Sequence, residues 1–226
     1  MKKTSLFLVS TALAVALGAA VSFAAPAQVM IIRHGEKPAQ GNELNEAGFQ
    51  RAKALVKFFE TDASVTRYGT PAAIYAMAPK NSDGSVRAIQ TVTPLADALE
   101  LTINEFYTRD QVNELVKDIM ENADYKGRMV LVCWEHKVIV NIAAALAAYG
   151  GSDQSVQNSL PASWNGDAFD RVWILNFAKD KVVSFQDMPQ RLMPGDSQVK
   201  QQEPEKAELS RPEPENTAQP QPAGAR

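Results

Sequence analysis

Only two histidines occur in the 226 residues, and each follows an apolar run with the composition of a buried strand. His34 comes after residues 28–33, and His136 comes after residues 128–135. Ligands of open α/β sheets bind at the carboxyl ends of the strands, so two histidines at two such ends can converge on one site. Imidazole can act there as a nucleophile or as a hydrogen-bond donor. The pair therefore predicts a single site that contains both histidines.

Two arginines suit this site to an anion. Arg33 directly precedes the first histidine, and Arg87 opens the segment RAIQT. Guanidinium groups offer planar, paired donors that match phosphate oxygens, which a lysine ammonium cannot copy. His136 stands at the start of a predicted helix, whose backbone N–H groups and dipole favour an anion. An imidazole that acts as a nucleophile must be neutral, and the Gly35 carbonyl could accept its remaining proton.

The segments between these residues alternate between strand-like and helical patterns. Strand-like runs lie at residues 28–32, 73–76, 101–106 and 128–134, and in a final hairpin at 171–177 and 181–186. Amphipathic helical stretches lie at residues 44–59, 86–99, 108–122 and 137–149, with Asn45 as a cap. Alternating elements with short links predict an α/β fold, a three-layer α/β/α sandwich with a mainly parallel central sheet.

The two ends of the chain differ from its middle. Residues 1–24 predict a secretory signal peptide, because two lysines precede an apolar stretch that ends at a small-x-small cleavage site. We expect cleavage rather than an uncleaved anchor, and therefore a periplasmic or secreted protein without stable membrane insertion. Residues 196–226 repeat Pro, Glu and Gln without any aromatic residue, which predicts a disordered tail. The folded domain is expected at residues 25–195.

Charge and cysteine content exclude several classes of protein. Without Lys2 and Lys3 the chain has 21 basic and 26 acidic residues, a net charge of −5, which excludes an electrostatic footprint for nucleic acid. The lone Cys133 excludes an internal disulfide framework, and its apolar surroundings predict burial. Two histidines without a Cys or Asp cluster fall short of metal-ligand spacing, so neither a metal nor another cofactor is expected.

Four segments together resemble the histidine phosphatase superfamily, which includes phosphoglycerate mutases, acid phosphatases and phytases. In chain order they are Arg33-His34-Gly35, Leu44-Asn45-Glu46-Ala47-Gly48, Arg87-Ala88-Ile89-Gln90-Thr91 with Pro94-Leu95, and His136. The resemblance covers roughly residues 29–149 and implies a phosphoglycerate mutase-like fold. It implies a metal-independent phosphatase that hydrolyses a phosphorylated small molecule or phosphoprotein through a phosphohistidine on His34. Arg33, Arg87 and His136 would then bind the phosphoryl group.

The proton donor to the leaving alcohol is the point at which this sequence departs from that superfamily. One branch places Asp directly after the second histidine, where this chain has Lys137. Another branch uses a Glu in the zone that here contains Glu105. Glu135, directly before His136, is the favoured candidate, and Glu105 is the alternative. This departure leaves open a non-catalytic pseudo-phosphatase that binds phosphorylated ligands, and a phosphomutase that uses the same intermediate is also an alternative.

Three charged residues are expected to line the entrance to the site: Glu36, Lys37 and Lys80. Lys37 follows the turn that contains the first histidine, and a lysine there can bind an anionic substrate or draw it inward. The alternative is that these three side chains form a solvated rim without a role in binding. The loop at residues 79–85 precedes the second arginine and is expected to shape access. Trp164 and Trp173 are expected to belong to the core or to anchor a loop.

The predicted signal peptide yields the first test. Protein secreted from its native host should begin at or near Ala25 and be soluble, because the segment before it is cleaved. N-terminal sequencing of the mature protein measures this directly. Recovery of Met1 in the membrane fraction would contradict the prediction.

Overall fold

The computed structural model describes residues 25–197, which contain six strands and five α-helices. The strands are β1 (Gln28–Arg33), β2 (Ala73–Ala76), β3 (Ile103–Asn104), β4 (Met129–Trp134), β5 (Arg171–Ala178) and β6 (Lys181–Pro189). The helices are α1 (Glu46–Thr61), α2 (Arg87–Ala98), α3 (Val112–Glu121), α4 (His136–Tyr149) and α5 (Gln154–Ser159). None of the helices within residues 25–197 combines the length and apolar character needed to cross a membrane. The predictions for residues 1–24 and 198–226 lie outside the described residues.

All six strands form one sheet in the order β3-β2-β4-β1-β5-β6. β3, β2, β4 and β1 are parallel, whereas β5 is antiparallel to β1 and forms the predicted hairpin with β6. The central strands β1 and β4 are buried at every residue, which explains their uninterrupted apolar runs. Arg33 pairs with Trp134 at the end of these strands, so the residues that follow both strands emerge side by side.

Helices cover both faces of this sheet. α1 packs against α2, and α3 packs against α4. The chain moves in one direction across the sheet from β1 to β2 to β3 and then returns to β4. Right-handed connections between parallel strands therefore place α1 and α2 on one face and α3 on the other, where α4 joins it. The predicted three-layer α/β/α sandwich with a mainly parallel sheet is confirmed.

The start of α1 lies unusually close to the turn that follows β1. A Cβ at Gly48 would be 2.4 Å from the carbonyl oxygen of Glu36, so this approach requires glycine. Asn45 is the N-cap of α1, as predicted, and its side chain accepts a hydrogen bond from the Gly48 N–H at 2.9 Å. The backbone N–H of Asn45 also donates to the Glu36 carbonyl at 3.0 Å. Helix α1 thus supports the turn directly.

The segment after β6 packs back onto the domain through Asp196. Its carboxylate accepts hydrogen bonds from the Arg51 guanidinium at 2.7 and 3.0 Å and from the backbone N–H groups of Leu192 and Met193. The Ser197 N–H donates to Asp170 at 2.8 Å. Asp196 and Ser197, which the sequence assigns to the tail, therefore form hydrogen bonds with the domain. Composition predicts a solvated tail from residue 196 onward, but composition cannot show that the Asp196 carboxylate pairs with the buried Arg51.

Candidate active site

His34 lies at the carboxyl end of β1 and is only 4% exposed. Its backbone N–H donates to the Trp134 carbonyl at 3.0 Å, which extends the pairing of β1 with β4 by one residue. Its Nδ1 is 2.7 Å from the carbonyl oxygen of Gly35. Since a carbonyl can only accept, Nδ1 carries the proton and Nε2 keeps its lone pair. The acceptor suggested for the nucleophile is therefore present.

Burial lowers the pKa of His34 to about 4. The hydrogen bond to the Gly35 carbonyl acts in the opposite direction and raises this pKa. The charges of three neighbours lower it further, and these neighbours are Arg33, Arg87 and His136. The imidazole is consequently neutral at ordinary pH, and the structure brings the second histidine and both arginines close enough to act on it.

Arg33 is the most buried member of this group, with 1% exposure. Its Nη1 donates to the carbonyl oxygens of Gly166 and Ala168, and its Cζ lies 3.8 Å from the centre of the Phe169 ring. Its buried Nε has no hydrogen-bond partner among the described residues. Burial lowers the pKa of Arg33 to about 10, so the guanidinium is still charged at neutral pH. It therefore offers positive charge and a donor to an anion.

Arg87 is the first residue of α2 and is half-buried. Its Nε donates to the Glu43 carbonyl at 3.0 Å and its Nη2 donates to the Gly41 carbonyl, so neutral acceptors orient the guanidinium. Burial lowers its pKa. One helical turn later, the Thr91 hydroxyl accepts from the Gly35 N–H at 2.8 Å. The beginning of α2 is thus tied to the turn that contains the nucleophile candidate.

His136 is the first residue of α4 and is half-buried. Its buried Nδ1 lacks a hydrogen-bond partner in the described chain, because the nearest carboxylate oxygen, Glu135 Oε2, is 3.8 Å away. Burial and the charge of Arg33 both lower its pKa. On the other side of the ring, a Cβ at Gly166 would lie 3.6 Å from Nε2. The imidazole is therefore held between the helix start and a loop.

That loop, residues 164–170, is part of the site that sequence reasoning missed. It supplies both carbonyl acceptors and the aromatic ring that contact Arg33. Trp164 fastens it, since its Nε1 donates to the Ala168 carbonyl at 2.9 Å and its ring centre lies 5.0 Å from that of Trp173. Trp164 anchors the loop and Trp173 is buried in β5, so the expectation that they belong to the core or anchor a loop is confirmed. In the sequence, these tryptophans are the one feature that marks the loop, because backbone carbonyl groups are common to all residues and produce no sequence motif.

The two candidate proton donors occupy different environments. Glu135 is the N-cap of α4, where it accepts from the Lys137 N–H at 3.1 Å and from Arg109 Nε at 2.7 Å. These contacts fix its carboxylate beside His136. Glu105 follows β3 and is exposed, and its side chain makes no hydrogen bond or ion pair with another described residue. The structure thus places Glu135, rather than Glu105, against a residue of the site.

The three residues expected at the entrance do not share one role. Lys37 is exposed, and its charge lowers the pKa of His136, so it lies near that histidine. Lys80 lies in an exposed turn. The Glu36 carboxylate accepts hydrogen bonds from the buried Arg51 at 2.7 to 3.1 Å, and its place at the entrance stays a prediction. A buried guanidinium needs an anionic partner, and the sequence around Glu36 does not reveal that Arg51 is buried next to it.

Neither metal ligation nor thiol chemistry has a structural basis in the described part of the chain. No three His, Cys, Asp or Glu side chains of residues 25–197 are grouped so as to hold a metal ion. Cys133 is buried in β4, and burial raises the pKa of its thiol well above the usual range. The thiol is therefore protonated at neutral pH, and a protonated thiol is a poor nucleophile.

No protein-family model and no curated protein matches this sequence. Several solved phosphatases align with this chain at low TM-scores. The protein histidine phosphatase SixA in complex with tungstate aligns with a TM-score of 0.46 and 14% identity, over 72% of this chain and 97% of that chain. A protein of Agrobacterium tumefaciens assigned as the phosphohistidine phosphatase SixA aligns with a TM-score of 0.44 and 17% identity. This alignment covers 71% of this chain and 98% of that chain.

A mycobacterial glucosyl-3-phosphoglycerate phosphatase in complex with VO3 aligns with a TM-score of 0.42 and 16% identity, over 71% of this chain and 96% of that chain. All three TM-scores are below 0.5 and all three identities are below 25%. The function of this protein therefore has to follow from its own residues.

The buried, neutral state of His34 predicts an acid-sensitive domain. In NMR titrations the His34 ring should titrate near pH 4, and His136 should titrate below its ordinary value of 6.5. The chain has only two histidines, so His34→Asn and His136→Asn assign both signals. Because unfolding exposes a ring that takes up a proton at higher pH, stability should fall by about 3 kcal/mol as the pH decreases from 6.5 to 4.

Denaturant unfolding at several pH values measures that loss, and His34→Asn should remove most of it. A His34 midpoint at 6.5 would contradict both the burial and the neutral state of this ring.

Proposed function

We propose that this protein is an enzyme of the histidine phosphatase superfamily, which hydrolyses a phosphomonoester through a phosphohistidine on His34 without a metal ion. The observation that carries the proposal is the state of that histidine. Its ring is buried and neutral, Nδ1 donates to the Gly35 carbonyl at 2.7 Å, and Nε2 retains its lone pair. A buried nucleophile surrounded by positive charge is suited to a phosphoryl group and to few other electrophiles.

In the first step, the lone pair of His34 Nε2 forms a bond to phosphorus while the bond between phosphorus and the alcohol oxygen breaks. The electron pair of that bond leaves with the oxygen, which takes up a proton as the alcohol departs. The developing positive charge on the ring is stabilised by the Gly35 carbonyl dipole. In the second step, water attacks phosphorus and gives a proton to the carboxylate that protonated the alcohol, the N–P bond breaks, and its electron pair returns to Nε2 as phosphate is released.

The side chains around His34 supply the charge stabilisation that this transfer needs. Negative charge spreads over the three equatorial oxygens of the phosphoryl group in the transition state. The unpartnered Nε of Arg33, the guanidinium of Arg87 and the imidazole of His136 are donors for these oxygens. Within residues 25–197, the hydrogen bonds of both arginines go to neutral carbonyl oxygens, so neither guanidinium is bonded to a carboxylate there.

The substrate class follows from the rim and from the ends of the chain. Lys37 lies exposed near His136 and favours an anionic ligand, either a phosphorylated small molecule or a phosphoprotein. If residues 1–24 direct export, as their sequence indicates, the enzyme meets this substrate in the periplasm or outside the cell. Glu135 is the proposed donor of the proton to the leaving alcohol, since it is the carboxylate fixed beside His136.

Replacement of the nucleophile tests the proposal. His34→Ala should abolish hydrolysis of an aryl phosphate and still bind inorganic phosphate, because the two arginines and His136 are unchanged. Arg87→Lys should lower kcat by about 10²-fold, since a point charge cannot reproduce paired donors. Arg67→Lys is the matched control, because Arg67 lies beside Tyr68 and not in the site, and it should be silent. Steady-state kinetics without added metal measures all three.

Rapid quenching with a labelled phosphate ester identifies the intermediate. Label should appear on His34 in a linkage that is stable in base and lost in acid, as a phosphoramidate behaves. Activity retained by His34→Ala, or label on another residue, would rule out the proposed nucleophile. Phosphate binding without any turnover of the unaltered protein would instead identify a phosphate-binding pseudo-phosphatase.

Two esters that differ in their leaving group test the proton donor. An alkyl alcohol needs a proton as it departs, whereas a nitrophenol hardly does. Glu135→Gln should therefore lower alkyl phosphate hydrolysis by about 10²-fold or more, with a much smaller effect on the nitrophenyl ester. The glutamine amide oxygen can still cap α4. Glu105→Gln is the matched control, and a selective loss in that variant would assign the role to Glu105.

A further inference from the structure

Arg51 is a buried arginine for which the proposed chemistry has no use. It lies on α1, is 2% exposed, and its guanidinium bonds with two carboxylates at once. Nε and Nη2 donate to Glu36 at 2.7 to 3.1 Å, while Nη2 and Nη1 donate to Asp196 at 2.7 and 3.0 Å. Nη1 also donates to Gln190 at 3.2 Å. All three nitrogens are therefore committed to protein partners.

One of these partners belongs to the turn that contains the nucleophile. Glu36 is two residues after His34 and directly after Gly35, whose carbonyl sets the tautomer of the imidazole. Helix α1 contacts this turn through three residues at three-residue spacing, Asn45, Gly48 and Arg51. Asn45 and Gly48 contact the backbone of the turn, and Arg51 contacts the Glu36 side chain.

The other partner belongs to the far end of the folded chain. Asp196 is held by the Leu192 and Met193 N–H groups, so its carboxylate is part of an ordered loop after β6. One planar guanidinium therefore joins the turn after β1 to the segment at residues 190–197. Neither carboxylate is able to shift without breaking a bidentate contact with the same buried charge.

We infer that Arg51 and Asp196 are positioning residues, through which the C-terminal segment holds the turn at residues 34–36 in the geometry needed for phosphoryl transfer. This inference rests on the proposed function. Of the phosphate donors, Arg87 and His136 lie on α2 and α4, and the Arg33 side chain is held by the loop at residues 164–170, so loss of Asp196 affects the nucleophile more than the binding of phosphate. A displacement of about 1 Å at a reacting group is enough to slow a reaction by about 10²-fold.

The test uses full-length protein with the substitution Asp196→Asn. Asp187→Asn is the matched control, because Asp187 pairs with Arg171 at the same 2.7 Å on the β5–β6 hairpin and touches neither Arg51 nor Glu36. Under conditions in which both variants are folded by circular dichroism, Asp196→Asn should slow phosphorylation of His34 by about 10 to 10²-fold. The inhibition constant of inorganic phosphate should change less than twofold, and Asp187→Asn should match the unaltered protein in both.

A double-mutant cycle adds a readout that general destabilisation would not produce. Glu36→Gln combined with Asp196→Asn should slow phosphorylation no more than the larger single change, because both carboxylates act through one guanidinium. Multiplicative losses would overturn the inference. Equal slowing in Asp196→Asn and Asp187→Asn would overturn it as well.

Amide hydrogen exchange separates this inference from the proposed function. The Gly35 N–H should exchange faster in Asp196→Asn than in Asp187→Asn, because its bond to Thr91 depends on the position of the turn. If His34→Ala retained turnover, the proposed function would fail, and the exchange rates would still decide whether Asp196 holds the turn. Unchanged exchange, or faster exchange with an unchanged rate of phosphorylation, would overturn the inference.

Discussion

The hydrogen bond from His34 Nδ1 to the Gly35 carbonyl is the interaction on which the site depends. It forces the imidazole into the tautomer with a free Nε2, and it is made between neighbouring residues, so the backbone of the turn must be held still. The fold supplies that rigidity from three directions. The β1–β4 pairing fixes the strand end, Thr91 on α2 holds the Gly35 N–H, and α1 supports Glu36.

The role of each arginine in this region depends on the groups that accept its hydrogen bonds. Arg33 and Arg87 bond to neutral carbonyl oxygens, which orient the guanidinium without cancelling its charge. Arg51 is bonded to two carboxylates, which leave no positive charge for a ligand. Burying a guanidinium is costly unless it forms hydrogen bonds. Neutral partners leave its positive charge available to attract an anion, whereas carboxylate partners neutralise the charge and make the arginine a structural residue.

Much of the fold and part of the site were predictable. Buried strands and helices require apolar residues at characteristic spacings, and these spacings are visible in the sequence. The sheet, its hairpin and the Asn45 cap therefore agree with prediction. The juxtaposition of His34 with His136 also followed, because both residues end parallel strands. The loop at residues 164–170 was not predictable in its role, since it acts through backbone carbonyls and a glycine that any surface loop contains.

The sequence by itself therefore determined the residue types that can carry the chemistry and the strand ends at which they stand. Tertiary structure alone decided the partners of each charge. Glu36 and Asp196 both pair with Arg51, because a buried guanidinium requires anionic partners. Such pairings join residues distant in the chain, and neither local periodicity nor composition contains a record of them.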